Sequence, residues 1–402
     1  MEDSFKAVKV SDRVYWVGAI DWSVRDFHGY LTSRGTTYNA YLVLADKIAL
    51  VDTVRAGFRD EMLARIASVV DPRQIDYIIS DHAEPDHSGC LGDAIRTIQP
   101  EKTFASAMGA AALDEHFGLN GAITPVKDGQ DLDLGGAKLT FHETRMCHWP
   151  DSMVAYLHEE AMLFSQDAFG MHLASHERFD DQLDPHLLEA EGAKYYANIL
   201  LPLSTFVQKA LAKLGGLGCP FRIIAPDHGP IWREKPQAVV AYYARWAEQK
   251  RTNKAVVVYD TMWKSTDLMA RAVGEGLGAG GAQVKLMPLS GNHRSDVATE
   301  ILDAGALVVG SPTLNNTVFP TVADVLSYLK GLRPKGLIGA AFGSYGWSGE
   351  ATKDIKEALM EMKVELVAEP VRVKYVPDSA ELRQCHDLGL LVASKLKEKL
   401  GT

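Results

Sequence analysis

Asp81-His82-Ala83-Glu84-Pro85-Asp86-His87-Ser88-Gly89 follows directly on Tyr77-Ile78-Ile79-Ser80, a short apolar run that reads as a buried strand. The nonapeptide carries an H-x-E-x-D-H pattern, with His82, Glu84, Asp86 and His87 inside six residues. The turn at Pro85 can fold these side chains onto one another. Buried together without a cation, two carboxylates and two imidazoles would repel or go unsatisfied. The run therefore predicts a metal site at the end of a strand.

Three further ligand candidates stand after later strand-like runs. His148 follows Met146-Cys147 and precedes Trp149-Pro150-Asp151. Asp167 follows Leu163-Phe164-Ser165-Gln166, and His228 follows Ile223-Ile224-Ala225-Pro226-Asp227. Taken singly, each has an ordinary reading as a structural histidine or a turn cap. Upstream, Arg13–Val17 reads as a strand, and Tyr41–Leu44 with Ile48–Asp52 as a hairpin. A helical pattern over Phe58–Val70 ends before Asp71-Pro72. Strands with helices between and outside them predict an α/β sandwich.

The remainder of the chain reads differently. Gln237–Gln249 is helical in pattern, and the polar stretch Arg251-Thr252-Asn253-Lys254 reads as a linker, giving domains 1–250 and 254–402. Strand patterns at Ala255–Tyr259, Gln283–Leu289, Ala306–Gly310, Leu337–Phe342 and Val364–Lys374 alternate with helical ones at Thr266–Gly276, Ser295–Asp303, Val322–Leu332, Glu350–Met362 and Ser379–Leu400. Such alternation predicts a doubly wound, parallel, five-stranded sheet with ligands at the carboxyl ends of its strands. The loop Thr261-Met262-Trp263-Lys264-Ser265-Thr266 leads from the first strand into a helix N-terminus, which favours a phosphate. It is neither a P-loop nor G-x-G-x-x-G, and a hydroxyl-capped helix is its plain alternative. Gly310-Ser311-Pro312-Thr313-Leu314-Asn315-Asn316 follows the third strand, and Gly343-Ser344-Tyr345-Gly346-Trp347-Ser348-Gly349 the fourth. Their glycines permit close backbone approach to a ring, and Tyr345 and Trp347 offer flat apolar contact.

Composition narrows the class. Of 402 residues 47% are hydrophobic and 23% charged, as in ordinary globular proteins, and the formal net charge of -10 weighs against a nucleic-acid partner. No run approaches 18 apolar residues, so no membrane partner is expected, and the N-terminus lacks the regions of a signal peptide. Cys90, Cys147, Cys219 and Cys385 are too few and too widely spaced for a disulfide framework, which predicts a cytoplasmic protein. No C-x-x-C pair is present, so no rubredoxin-like iron module is expected within the chain.

The H-x-[HE]-x-D-H run with its distant His, Asp and His resembles the metallo-β-lactamase fold, an αββα sandwich with two adjacent metals. Hydrolases of that fold use H-x-H-x-D-H and generally bind zinc, whereas Glu84 here adds a hard oxygen donor. Three carboxylates with four imidazoles suit iron better than zinc. The loop at Thr261 resembles the phosphate loop of flavodoxins. In this order the two halves resemble flavodiiron proteins over essentially the whole chain. The strings Gly18-Ala19-Ile20-Asp21-Trp22, His148-Trp149-Pro150-Asp151-Ser152-Met153 and Gly346-Trp347-Ser348-Gly349-Glu350 also look like this family.

That resemblance implies FMN, held by the three loops of the second domain, and two iron ions in the first. His82, Glu84 and His148 would hold one iron, and Asp86, His87 and His228 the other, with Asp167 bridging; water could take the place of His87. It implies a flavodiiron oxidoreductase that reduces dioxygen to water or nitric oxide to nitrous oxide. The electrons would come from a separate rubredoxin-type donor through FMN. It also implies a head-to-tail homodimer, or a dimer of such dimers. His28, in Arg25-Asp26-Phe27-His28-Gly29-Tyr30, corresponds to a segment lining the gas pocket. Tyr196, of the Tyr195-Tyr196 pair, is a second candidate for positioning protons, with a core aromatic as the plain reading. His172 and the other histidines outside these motifs take the surface or locally hydrogen-bonded reading. The competing functions are a zinc hydrolase carrying a flavodoxin-like binding domain, and a non-catalytic flavin sensor or shuttle.

Overall fold

Tyr41–Val43 and Ile48–Val51 pair as the expected antiparallel hairpin, in the register Tyr41↔Val51, Leu42↔Leu50 and Val43↔Ala49. Side chains alternate across a strand, and here both faces are buried. Tyr41, Val43, Ala49 and Val51 enter one hydrophobic core, while Leu42 and Leu50 enter another. The next strand, Ile75–Ser80, divides in the same way, with Ile79 in the first core and Ile75 and Ile78 in the second. A computed structural model describes residues 4–401. In it these strands belong to a seven-stranded mixed sheet ordered Val8–Lys9, Val14–Trp16, Tyr41–Val43, Ile48–Val51, Ile75–Ser80, Lys102–Ser106 and Ile123–Val126.

A second, five-stranded sheet is ordered Asp131–Asp133, Lys138–Glu143, Met153–Leu157, Met162–Gln166 and Ile223–Pro226. Leu139, Phe141, Ala155 and Phe164 meet the first sheet's Tyr41, Val43 and Ile79 in the shared core. The second core lies between the larger sheet and its helices, where Met62 and Ile66 of Arg59–Ala67 and Leu91, Ala94 and Ile98 of Leu91–Ile98 are buried. The result is the expected αββα sandwich. The helix expected from Phe58 to Val70 is a 3-10 turn, Ala56–Phe58, followed by Arg59–Ala67.

The chain divides into two compact units. One gathers the chain through His28, Thr32–Tyr195 and Leu203–Ala244; the other gathers Gly29–Leu31, Tyr196–Pro202 and the chain from Arg245 onward. The second unit holds a parallel sheet ordered Gln283–Pro288, Thr252–Tyr259, Ala304–Gly310 and Ile338–Tyr345, with Glu365–Leu366 and Val371–Lys374 both paired to the last. Helices Ser265–Ala279 and Ser379–Leu400 contribute Met269, Val273, Leu388 and Val392 to its core. Two details differ from the sequence reading. Thr252 to Lys254 form the start of the first strand rather than a linker, because Lys254 and Ala255 pair with Gln283 and Val284. The strand expected over Val364–Lys374 breaks in two around Pro370, which has no N–H to give to a ladder.

Candidate functional site

The loop after Ile75–Ser80 and the ends of three strands of the smaller sheet meet at one edge of the sandwich. His82, Glu84, His148 and Asp167 place one donor atom each within 4.8 Å of one another, and Asp86, His87 and His228 form a second such group. Asp167 faces both. Its Oδ2 lies 2.8 Å from His148 Nε2 and 3.4 Å from His82 Nε2. Its Oδ1 lies 3.0 Å from His87 Nε2 and 3.4 Å from His228 Nε2. The structure thus brings together all seven residues that the sequence singled out, from loops up to 146 positions apart, 228 less 82.

The donor set fits a pair of cations. Both carboxylate oxygens of Asp86 are buried and accept no hydrogen bond, although Oδ2 lies 3.2 Å from His228 Nε2. A buried acceptor left this way costs free energy that a cation recovers. Burial acts to strip the proton from His82, but hydrogen bonds that its ring donates to Asp151, Asp167 and Glu84 outweigh it and raise the imidazole well above its ordinary value. Burial likewise raises Asp167, and the facing histidines overcome it to hold the carboxylate well below its ordinary range. Metal binding replaces those protons. Three carboxylates among four imidazoles supply the hard oxygen donors that favour iron over zinc.

A layer that the sequence did not single out sets the ligands' orientation. Asp151 Oδ2 lies 3.2 Å from His82 Nδ1. His228 Nδ1 donates to the Thr37 carbonyl at 2.6 Å, and Asp227 Oδ2 lies 3.4 Å from His87 Nδ1. The first two contacts occupy the nitrogen away from the site and leave Nε2 for a metal, while His87 Nδ1 has Asp227 only at ion-pair distance. Behind them, burial drives the carboxyl of Asp52 up to about 7 and raises those of Asp81 and Asp227 well above their ordinary range.

His28 sits beside this centre, its Nε2 3.1 Å from Glu84 Oε1 and its side chain 76% exposed. Tyr196 belongs to the second unit, where its ring lies 5.6 Å from that of Trp246. It is Tyr195 whose ring reaches the histidines, 5.1 Å from His172 and 6.2 Å from His228. His172 also departs from its surface reading. It is buried, with Nδ1 2.9 Å from Thr36 Oγ1 and its ring 4.7 Å from that of His228. The only signal for it was proximity to Asp167, five positions earlier, after the same strand.

The second unit carries a groove of about 680 Å³ at the carboxyl ends of its strands. Met262, Trp263 and Ser265 line it from the first loop, Pro312 to Asn316 from the second, and Ser344 to Ser348 from the third. Tyr375 and Val376, after the split last strand, also line it and were not foreseen. Thr261, Lys264, Thr266, Gly343 and Gly349 flank these residues without lining the groove. Thr266 supports it from below, its Oγ1 2.9 Å from Ser344 Oγ. Thr313–Leu314 and Thr317–Val318 form a small hairpin whose turn, Asn315 and Asn316, has φ of 52° and 60°. Asn accepts that left-handed geometry more readily than most residues. The mouth is flat and apolar, with Trp263 90% and Trp347 85% exposed. Ser265 opens a 15-residue helix whose N-terminal dipole faces this side. An aromatic ring bearing a phosphate tail fits this combination.

Comparison with known proteins agrees with both halves. A family model described as ODP family beta lactamase matches residues 36–229, and one described as Flavodoxin matches 257–389. The chain is 48% identical to the rubredoxin-oxygen oxidoreductase of Megalodesulfovibrio gigas, over 98% of this chain and 100% of that one. It is 46% identical to a nitric oxide reductase of Moorella thermoacetica, over 97% and 99%. The crystal structure of the flavodiiron protein from Giardia intestinalis superposes with a TM-score of 0.95 at 32% identity, covering 98% of each chain. The chain belongs to the flavodiiron family and is an oxidoreductase.

Proposed function

We propose that this oxidoreductase reduces dioxygen to water or nitric oxide to nitrous oxide, with electrons that a rubredoxin-type donor supplies through FMN. Its cofactors are FMN and two iron ions, matching the flavodoxin half and the paired donor groups. The observation that carries the reading is Asp167, whose two oxygens face separate histidine sets. In the proposed assignment His82, Glu84 and His148 hold one iron, and Asp86, His87 and His228 hold the other. Asp167, with one oxygen toward each set, would be the ligand shared between them. When bound, two ferrous ions and reduced FMN supply four electrons, the number that takes dioxygen to water, or two for each pair of nitric oxide molecules.

The chain's own groups do the rest. His28 Nε2, open to solvent and 3.1 Å from Glu84, is placed to carry a proton toward that side of the centre. The aromatic role expected of Tyr196 falls better to Tyr195, which packs beside His172 and His228. Burial of the ligand set excludes bulk water and strengthens every charge interaction within it. In the second unit, Trp263, Trp347 and the helix starting at Ser265 orient the flavin ring and its phosphate.

A head-to-tail homodimer, or a dimer of such dimers, is part of the same reading. A cytoplasmic setting is supported by the four cysteines, none of which is in a disulfide.

The test is anaerobic reduction of purified protein by reduced rubredoxin, followed by separate exposure to each gas. Iron, a flavin spectrum and gas consumption are expected. Zinc in a colourless sample would overturn the reading, as would wild-type gas reduction by the double variant Glu84→Ala, Asp167→Ala.

A further inference from the structure

Arg372 lies outside every motif described above. It sits on the strand Val371–Lys374, opposite Gly343 in the parallel pairing with Ile338–Tyr345. Its side chain turns onto the loop that closes the groove. Nη2 donates to the Ser348 carbonyl at 3.0 Å, and the guanidinium carbon stands 5.1 Å from the centre of the Tyr345 ring. Gly349 completes the fit. Its φ is +87°, and a Cβ added there would stand 2.6 Å from Arg372 Nη2 and 2.9 Å from Tyr345 Cγ. The loop is therefore folded around the guanidinium, with the glycine required both by backbone geometry and by space.

Tyr345 and Ser348 line the groove, so the cation lies one side chain behind the ligand's space. Neither contact cancels its charge, since one is to a carbonyl and the other to a ring face. Arginine keeps that charge at every working pH. An oxidised flavin that takes up two electrons and one proton gains one negative charge, and a nearby fixed cation favours that product.

Resting on the FMN reading of this groove, we infer that Arg372 is a positioning residue for the flavin that raises its reduction potential. The hydrogen bond to Ser348 fixes the loop, and the charge behind Tyr345 favours the reduced ring. A flavin held at a higher potential is a milder reductant, so the charge limits how reducing the bound flavin becomes. Lysine can keep the charge but not the fixed, planar contact.

The experiment is spectroelectrochemical titration of the full-length holoprotein as wild type, Arg372→Lys, Arg372→Gln and Arg372→Glu, with FMN content measured beside it. Arg372→Gln should lower the flavin midpoint by about tenfold in equilibrium constant, about 30 mV for the two-electron couple. Arg372→Glu should lower it about twice as far, and Arg372→Lys should stay near the wild type. A flat series with FMN bound would overturn this inference alone. So would loss of FMN from Arg372→Lys, Arg372→Gln and Arg372→Glu alike, because the residue would then be purely structural. Wild-type protein that binds no FMN would instead overturn the reading on which the inference rests.

Discussion

Asp151 Oδ2 accepts from the Ala83 N–H at 2.7 Å and lies 3.2 Å from His82 Nδ1. One oxygen thus ties the ligand loop's backbone to its first histidine and holds the proton on Nδ1, leaving Nε2 as the donor to a metal. Asp151→Ala removes both contacts while leaving all seven proposed ligands in place. Loss of such a partner typically weakens a metal site by about 10–100-fold. Chelator competition should show that loss, with far-UV circular dichroism unchanged; wild-type affinity would show that His82 needs no external orientation. Asp151 was written in the sequence only as part of a family-like string. Its role depends on a contact across 69 positions, which no local pattern can reveal. The cluster in the 82–87 loop was legible because its donor side chains crowd a few residues. Tyr195 and Tyr196 were not separable, since a one-residue step turns a helical side chain by about 100°. The π-turn at Tyr196–Leu200 alters that phase further.

Helix Ser265–Ala279 includes Gly274, Gly276 and Gly278, each costing about 1 kcal/mol relative to alanine in a free helix. Its contact with Ser379–Leu400 explains why one of them is there. A Cβ on Gly276 would stand 1.9 Å from the His386 carbonyl oxygen, and one on Gly389 would stand 2.2 Å from that of Val273. The two backbones touch, so packing overrides propensity. Gly276→Ala should therefore destabilise by about 2–3 kcal/mol. Gly278→Ala, whose Cβ meets only Val284 Cγ2 at 4.0 Å, should stabilise by up to about 1 kcal/mol. Urea titrations of the two variants should move in opposite directions, and a shared direction would refute the packing argument. The same unit offers a pH prediction. Glu300 lies 2.7 Å from Lys254 Nζ and 3.0 Å from Lys285 Nζ. Burial alone would raise its carboxyl, but the two lysines overcome this and hold it below its ordinary value. A depressed carboxyl stabilises above its unfolded value of about 4.3 and loses that contribution as pH falls through the folded one. Glu300→Gln should cost roughly 1 kcal/mol at pH 7, and the gap in melting temperature from the wild type should close as pH falls below about 4. Alternation made these helices and strands readable from sequence. The first strand's polar start at Thr252–Lys254 was not readable, because its place is set by pairing with Gln283 and Val284.

The metal ligands and the flavin groove belong to different units, each with a core of its own. The order of the two halves was legible, because a metal-binding loop and a βα alternation use different local codes. Which flavin serves which iron pair was not, because that depends on assembly rather than on any segment. Two variants, each disabling one cofactor, can decide it. Asp167→Ala removes the carboxylate proposed to bridge the irons and leaves the groove intact. Ser265→Glu puts a carboxylate at the start of the helix that faces the groove, where it would repel a phosphate. Each should be inactive alone. Coexpressed with different tags, they should form mixed dimers if the proposed homodimer holds. In a head-to-tail pair, the intact flavin of one subunit then serves the intact irons of the other. Random mixing makes half the dimers hybrid with one of two routes restored, so gas reduction should recover to about a quarter of the wild type. Doubly tagged hybrids should carry that activity, whereas inactive hybrids would place each flavin with the irons of its own chain.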